Sequence, residues 1–199
     1  MFKDVKGVAT TPAFSTSAPG DLIVAFVGAD GPPGGGQTAT LSGAGLTWTL
    51  VKRTNTRAGD AEVWQAIAPA TLTNVSVTST LSAGTYAQSL TVVAFRGASG
   101  IGATGTANAA SGAPTVNLTT TRAGSWVFVV VNDWDRATAR TVGAGQSMVH
   151  QWVDTSTGDT YWTQSRTAPT PASGTVVAIS DTAPTADRWN LTSVEVLAT

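Results

Sequence analysis

Short apolar runs separated by turn residues make up most of the chain, and no amphipathic 3.6-residue period persists for ten residues. The runs are rich in Val, Ile, Thr, Trp and Phe, which suit a pleated and half-buried surface, and clusters of Gly, Pro, Ser and Asn divide them. This pattern predicts an all-β fold, an antiparallel and jelly-roll-like β-sandwich of about ten strands. The predicted strands lie near residues 21–29, 46–53, 60–67, 73–80, 88–96, 125–132, 146–153, 159–166, 174–180 and 189–197.

The second five predicted strands repeat the plan of the first five. The segment APGDLIVAFVGADGPP is matched by RAGSWVFVVVNDWDRA, and SLTVVAFRGA is matched by NLTSVEVLAT. Between these blocks, GAGLTWTLVKRTNTRAGDAEVWQ corresponds to GAGQSMVHQWVDTSTGDTYWTQ. Repeated blocks in one order and at near-constant spacing indicate an internal duplication. We therefore predict a single domain over residues 1–199, a fused sandwich with pseudo-twofold halves of five strands each at about 18–96 and 122–199.

The apolar pattern also predicts which strands lie deepest. The first strand of each half is apolar on both faces, which is typical of a strand buried between layers. Trp48 and Trp126 alternate with or join aliphatic residues, so we expect both in the core. The Gly/Ala-rich segment 97–117 has few bulky residues, and we expect it to be an exposed connection between the halves.

Composition narrows the partners and the compartment. Charged residues form only 12% of the chain, the net charge is −1, and the Lys and Arg residues are scattered. A surface that binds nucleic acid needs clustered positive charge, so we expect no nucleic-acid partner. No segment approaches the ~20 apolar residues that cross a bilayer, and MFKDVKG lacks the apolar region of a signal peptide. The absence of cysteine and the hydroxyl-rich composition favour a mature extracellular module without disulfides.

No recognisable catalytic motif is present. The chain has one histidine, His150, which we interpret as a hydrogen-bonded residue at the rim of the core and, alternatively, as a ligand or an acid–base group. There is no Gly-X-Ser-X-Gly nucleophile motif and no phosphate-binding loop. Glu62 and Glu195 lie on strands of different halves, and nothing pairs them as glycosidase acids. We therefore predict that the protein is not an enzyme.

Acidic and aromatic residues are enriched in the second half, at positions where the first half is plain. They occur in VNDWDRA after the most apolar strand, in GDTYW, and in DRWN. Halves of a duplication diverge where one of them keeps or gains a task, so this set is the candidate ligand-binding surface. Its members are Asp133, Trp134, Asp135, Asp159, Tyr161, Trp162, Arg188 and Trp189.

Three interpretations of this set remain open. Flat aromatic rings stack on sugar faces while Asp, Asn and Arg bond the hydroxyls, so the surface suits carbohydrate. Asp133 and Asp135, with Asn132 or Asp159, would alternatively offer hard oxygens to Ca²⁺, although the spacing is not that of an EF-hand. The third interpretation is structural, in which Asp133 or Asp135 pairs with Arg188 or Arg136 and the tryptophans cover the ends of the sandwich.

The chain resembles, over nearly its whole length, a module that recurs in secreted multidomain proteins of soil bacteria. The likeness is carried by PAFSTSAPGDLIVAFVGADGP, GAGLTWTLVKRTNTRAGDAEVW, LTVVAFRGA, NDWDRATARTVGAGQSMVHQ, GDTYWTQ and DTAPTADRWNL. A more distant likeness, mostly GDLIV and the Thr-Trp-Thr strand, extends to modules of phage tail proteins. The resemblance implies a non-catalytic, exposed accessory domain and brings neither a ligand nor catalytic residues.

Two functions are consistent with these features. The first is a non-catalytic extracellular module that binds a polysaccharide or a cell-surface glycan. The alternative is a structural subunit of an extracellular filament, sheath or phage-tail-like assembly. In that case the N-terminal segment MFKDVKGVATTPAFSTS, which we expect to be flexible, would add to the sheet edge of a neighbouring copy.

Overall fold

The computed structural model describes residues 1–199 and consists of antiparallel strands without a helix. It accordingly contains no helix with the length and apolar character that a membrane crossing requires. The predicted all-β class is confirmed. The strands of the first half are β1 (Phe2–Lys6), β2 (Ala9–Thr10), β3 (Leu22–Ala29), β4 (Ala39–Gly43), β5 (Thr49–Thr54), β6 (Asp60–Ile67), β7 (Val77–Leu81) and β8 (Ala87–Phe95). Those of the second half are β9 (Ala98–Ala109), β10 (Thr115–Thr119), β11 (Trp126–Asp133), β12 (Thr141–Val142), β13 (Gln146–Asp154), β14 (Asp159–Arg166), β15 (Val176–Ala183) and β16 (Trp189–Ala198).

The two halves have the same topology. In the first half the strands form a five-stranded sheet of order β1-β8-β3-β6-β5 and a three-stranded sheet of order β2-β7-β4. In the second half the corresponding orders are β9-β16-β11-β14-β13 and β10-β15-β12. Every strand of one half therefore has a counterpart eight strands away, and each half has eight strands instead of the five predicted.

The strands that the sequence pattern missed are the same in both halves, namely β1, β2 and β4 with their counterparts β9, β10 and β12. The expectation of an exposed connection over residues 97–117 was wrong, because β9 pairs with β16 along most of its length. Its small residues have a packing role. A side chain at Gly102 would lie within 2.4 Å of Glu195 Oε2, and one at Gly105 within 2.7 Å of Ser193 Oγ.

The N-terminal segment is also part of the fold. β1 pairs with β8 of the same chain from Phe2 to Lys6, and β2 pairs with β7. Phe14 is 7% exposed and forms an isolated bridge with Val75. The expectation of a flexible segment was therefore wrong, because its backbone groups are already paired within the chain. β1 is the edge strand of its five-stranded sheet, so a neighbouring copy would pair with its outer edge and would not receive a free segment.

Three apolar cores hold four layers together. One core fills the space between the two sheets of the first half, and a second fills the second half. A central core lies between the two five-stranded sheets and contains Leu22, Val24 and Phe26 of β3 with Phe128 and Val130 of β11. Successive side chains of a strand point to opposite faces, so β3 contributes to both its own sandwich and the contact between the halves. This explains why β3 is apolar throughout and buried at every position.

Buried polar contacts join the halves at one end of the central core. Thr192 donates through Oγ1 to the Ala61 carbonyl over 2.7 Å, and the Thr54 hydroxyl contacts Thr192 Oγ1 at 2.7 Å. Asn190 donates through Nδ2 to the Ala58 carbonyl over 2.9 Å. Gly59, in the left-handed region at φ +84°, allows this close approach, because a Cβ there would lie 2.1 Å from Asn132 Nδ2.

The tryptophans outside the candidate surface differ in position. Trp48 is half-buried against the first core, but Trp126 is 37% exposed. The expectation that Trp126 is a core residue was therefore wrong. It lies at the start of β11, where the strand leaves the central core, and its indole borders a small depression with Arg96.

Candidate functional site

A groove of about 600 Å³ opens where the two halves meet, beyond the ends of β3 and β11. Both halves contribute to it through corresponding loops. We call it the interhalf groove, and its lining residues are Asp30, Gly31, Pro33, Arg57, Ala58, Tyr86, Ala110, Trp134, Asp135 and Arg188.

Corresponding residues of the two halves line the groove from both sides. Ala29 pairs with Gln88 as Asp133 pairs with Trp189, so these positions correspond. The next residues, Asp30 and Trp134, are therefore counterparts, and both line the groove. A second depression of about 400 Å³ shares Asp30 and Tyr86 with the groove and adds Lys6, Thr85, Ala87 and Thr157. The two depressions therefore adjoin each other at Asp30 and Tyr86.

Two aromatic rings are available in the groove. Tyr86 and Trp134 are both half-buried, so each ring is anchored on one side and accessible on the other. Tyr86 packs against the first core. The Trp134 backbone N–H donates to the Arg188 carbonyl over 3.3 Å, which ties the two walls of the second half together. These rings come from different halves, and rigid aromatic groups lose little conformational entropy on binding.

Charged groups surround the rings. Arg188 Nε lies 3.2 Å from Asp135 Oδ2, and both side chains are substantially exposed. Arg57 donates through Nε to Asn108 Oδ1 over 2.8 Å and has no acidic partner. Asp30 accepts the Gly31 N–H over 2.7 Å. Burial raises the pKa of Asp30 to about 6, and the nearby carboxylate of Asp159 adds to the rise.

A buried charge network lies under the side of the groove that Trp134 and Asp135 form, which we call the Trp134 wall. Arg140 donates through Nη2 to Asp133 Oδ2 over 2.5 Å and through Nη1 to Asp187 Oδ2 over 2.6 Å, with all three side chains fully buried. The guanidinium also lies 4.8 Å from the centre of the Trp162 ring, a cation–π contact. Asp133 Oδ1 accepts the backbone N–H of Asp135 over 3.1 Å. Burial raises the pKa of Asp133 to about 7, and the guanidinium of Arg140 limits that rise.

The structure separates the candidate residues that the sequence had grouped together. Trp134, Asp135 and Arg188 line the groove, and Asp133 lies directly beneath it. Trp162 and Trp189 are 1% and 4% exposed and belong to the second core, so they cannot stack on a surface ligand. Their inclusion in a binding surface was wrong, because both rings point between the sheets of the second half.

Asp159 and Tyr161 are also buried, and their prediction as ligand contacts needs the same correction. The Tyr161 hydroxyl donates to Asp159 Oδ2 over 2.9 Å. Burial raises the pKa of both groups, and the carboxylates of Asp159 and Asp30 raise that of Tyr161 further. The pair holds the strand ends behind the groove and is not accessible to a ligand.

The acids are arranged in ion pairs, and no group of three or more His, Cys, Asp or Glu side chains is placed to hold a metal. Both oxygens of Asp133 already accept hydrogen bonds, and Asp135 faces Arg188. The calcium interpretation therefore finds no set of ligands here. The pairing of Asp135 with Arg188 follows the structural interpretation, whereas Asp133 pairs with Arg140 instead of the predicted Arg136 or Arg188.

The single histidine lies outside the groove. His150 Nε2 is 2.9 Å from Asp4 Oδ2, and its ring stacks on Phe2 with centroids 3.8 Å apart. Matching GAGLTWTL with GAGQSMVH aligns His150 with Leu50. In the structure His150 pairs with Thr163, and Lys52 pairs with the corresponding residue Val63, so the counterpart of His150 is Lys52. His150 joins β13 of the second half to β1 of the first and is held at the rim of the central contact.

Three groove residues were missed from the sequence, namely Asp30, Arg57 and Tyr86 of the first half. Their positions follow strand ends that correspond to the enriched segments of the second half. The matched segments already align Asp30 with Trp134, but they do not show that the corresponding loops of the two halves meet in one groove.

Comparisons with protein-family models, with curated proteins and with solved structures find no match. The geometry and chemistry of the groove therefore carry the functional assignment.

Proposed function

We propose that the protein is a non-catalytic, extracellular binding module that holds a carbohydrate in the interhalf groove. The observation that carries this proposal is the pair of half-exposed rings, Tyr86 and Trp134, in one groove with two arginines and two carboxylates. The rings offer apolar faces to the C–H surfaces of sugar rings. The charged groups offer strong hydrogen bonds to hydroxyls.

The shape of the surface supports a chain-like ligand. The groove and its adjoining depression give about 600 and 400 Å³ along one continuous path that passes Tyr86 and Asp30. Several sugar units of an oligosaccharide would fill that path, whereas a single small molecule would leave most of it in water. An open groove also lets the ends of a polysaccharide continue past the protein.

The residues at the groove support binding more than turnover. Of its two carboxylates, Asp135 is engaged by Arg188 and Asp30 accepts the backbone N–H of Gly31, and the only histidine is held elsewhere by Asp4 and Phe2. Incubation of the protein with each glycan that it binds should therefore release no reducing ends. Their appearance at a rate that Asp30→Asn abolishes would replace binding by glycoside hydrolysis as the function.

The proposal is tested by a glycan array followed by calorimetric titration of the oligosaccharides that bind. Trp134→Ala and Tyr86→Ala should each weaken binding roughly 5- to 150-fold, taking the roughly 1–3 kcal/mol that stacking of a nucleic-acid base on an aromatic side chain contributes as the guide. Trp126→Ala is the matched control, since it removes an exposed indole that is outside the groove. Equal binding by Trp134→Ala, Tyr86→Ala and the control would refute the site, and thermal melts of each variant confirm folding.

A further inference from the structure

We propose that the interhalf groove selects an anionic glycan, that is, a polysaccharide whose sugar units carry carboxylate or sulfate groups. This inference rests on the proposed function and assigns the ligand class of the same site. It follows from the distribution of charged side chains along the groove and from which of them already have partners.

The extended groove carries more positive than negative side chains, although the whole chain has a net charge of −1. Its cationic residues are Arg57, Arg188 and Lys6, and its acidic residues are Asp30 and Asp135. Two further carboxylates, Asp159 and Asp154, are buried behind Asp30, so the cationic excess is confined to the side chains that line the surface. A groove that bound neutral sugars alone would not need it.

Ion pairing shows which of these charges are left over, namely the two cations Arg57 and Lys6 and the carboxylate of Asp30. Asp135 and Arg188 form an ion pair and largely neutralise each other. Neither Arg57 nor Lys6 has a carboxylate within 4.0 Å, so the positive charges at the two ends of the path are uncompensated. Between them lie Tyr86 and Asp30, which border both depressions. An anionic polymer would meet a cation on each side of the aromatic ring.

Arg57 is oriented for this contact. Its Nε is fixed by Asn108 Oδ1 at 2.8 Å, and its backbone N–H faces Asn190 Oδ1 at 3.4 Å. The two terminal nitrogens have no hydrogen-bond partner in the protein, and they are the pair that binds a carboxylate or sulfate with two parallel bonds. The guanidinium is therefore held in place with its anion-binding edge free.

Asp30 gives the groove a pH response. Burial, with the nearby carboxylates of Asp159 and Asp154, raises the pKa of Asp30 to about 6, so the side chain is ionised at pH 7.5. Protonation of Asp30 below pH 6 removes a negative charge near Lys6 and Arg57. A glycan carboxylate, with a pKa near ~3.5 as for an α-carboxyl, stays ionised there. Anionic glycans should therefore bind more tightly at pH 5.5 than at pH 7.5.

The test is calorimetric titration of the full chain with a galacturonic acid hexamer and with its methyl ester, which has the same sugars without the charge. At low salt the acid should bind at least about tenfold more tightly than the ester. A sulfated galactose hexamer and its unsulfated form provide the second arm. Preference for the acid, for the sulfate or for both over their neutral forms supports the inference and identifies the anion.

Substitutions show which side chains produce the preference for anionic over neutral glycans. Arg57→Gln should remove most of it, Lys6→Gln should reduce it, and Arg96→Gln, an exposed arginine outside the groove, should leave it unchanged. If neutral and anionic forms bind equally and Trp134→Ala weakens both, the proposed function stands and this inference fails. If the preference persists in Arg57→Gln, the groove assignment of the anion is wrong. If none of these glycans nor any on the array binds, both proposals fail.

Discussion

Replacement of Arg140 by methionine would remove the only cation from a buried cluster of acids. Arg140 holds Asp133 at 2.5 Å and Asp187 at 2.6 Å, and all three side chains have no solvent exposure. A third acid, Asp181, is 5% exposed, its carboxylate oxygens accept no hydrogen bond, and the positive charge of Arg140 favours its ionised form. Methionine fills similar apolar volume and leaves these carboxylates without a counter-charge.

The expected loss is large at neutral pH. Breaking a buried ion pair from one side costs roughly 3–5 kcal/mol, because the remaining charge stays desolvated. For a chain of this size, that loss corresponds to a fall in melting temperature of roughly 6–20 °C. Arg136→Met is the matched control. Arg136 approaches the same Asp187 at 3.9 Å, but its side chain is 42% exposed, so its removal should cost less than about 1 kcal/mol.

The pH dependence separates this electrostatic explanation from a simple loss of packing. In the folded protein the pKa of Asp133 is about 7, above the ~3.9 of an unfolded chain, so the folded state binds the proton more tightly. Without Arg140 the pKa values of Asp133 and Asp187 must rise further, since the guanidinium lowers both. At pH 5 Asp133 is then protonated and uncharged in the folded variant, and the cost of the substitution falls.

The assay is urea unfolding of wild type, Arg140→Met and Arg136→Met at pH 7.5 and pH 5.0, followed by tryptophan fluorescence. The difference in unfolding free energy between wild type and Arg140→Met should be clearly smaller at pH 5.0. An equal difference at the two pH values would show that Arg140 acts through packing alone, and the reasoning would be refuted. Because the Asp133–Arg140 pair supports the Trp134 wall, the variant should also bind glycan less tightly at pH 7.5.

Three further outcomes follow from other parts of the fold. Burial raises the pKa of Asp181 to about 7. The stabilisation from this carboxyl group is therefore complete below pH ~4 and is lost as pH rises through 7. Asp181→Asn should make the melting temperature depend less on pH between pH 5 and 8, and an unchanged slope would contradict this. Phe26→Ala should cost roughly 3–5 kcal/mol in urea unfolding, since Phe26 stacks on Phe128 at 5.7 Å in the central core, whereas Ile67→Ala, at a 52% exposed position, should cost little. Gly59→Ala should lower the melting temperature and disturb the contact between the halves beside the groove, because the added methyl group would overlap Asn132. An unaltered melting temperature would show that Asn132 moves aside at no cost.

The sequence pattern predicted the strands that have a reason to be apolar. All ten predicted segments overlap a strand, and β6 and β14 match their predicted bounds. The six missed strands are short or built from small and polar residues, such as the two-residue β2 and β12. Their pairing is set by the neighbouring strand and not by their own side chains, so no hydrophobic alternation marks them.

The candidate site was only partly predictable, and a one-residue error explains much of the difference. Matching GDAEVWQ with GDTYWTQ aligns Asp60 with Asp159 and therefore Val63 with Trp162. In the structure Val63 pairs with Phe26 of β3, and Thr163 pairs with the corresponding residue Val130 of β11. Val63 therefore corresponds to Thr163, and Glu62 corresponds to Trp162. A shift of one residue along a strand exchanges its two faces. Trp162 therefore occupies the inward position that Glu62 holds in the first half, where no ligand can reach it.

The pseudo-twofold position of the groove also explains why its two sides must differ. Corresponding loops of the halves meet there, and identical residues on both sides would give a surface that looks the same from either direction. Instead, Asp30 of the first half corresponds to Trp134 of the second. Tyr86, whose ring is half-exposed, corresponds to Asp187, which is buried and binds Arg140. A polysaccharide has distinct reducing and non-reducing ends. Divergence of the two halves therefore gives the groove two unlike sides, as the proposed polysaccharide ligand would require.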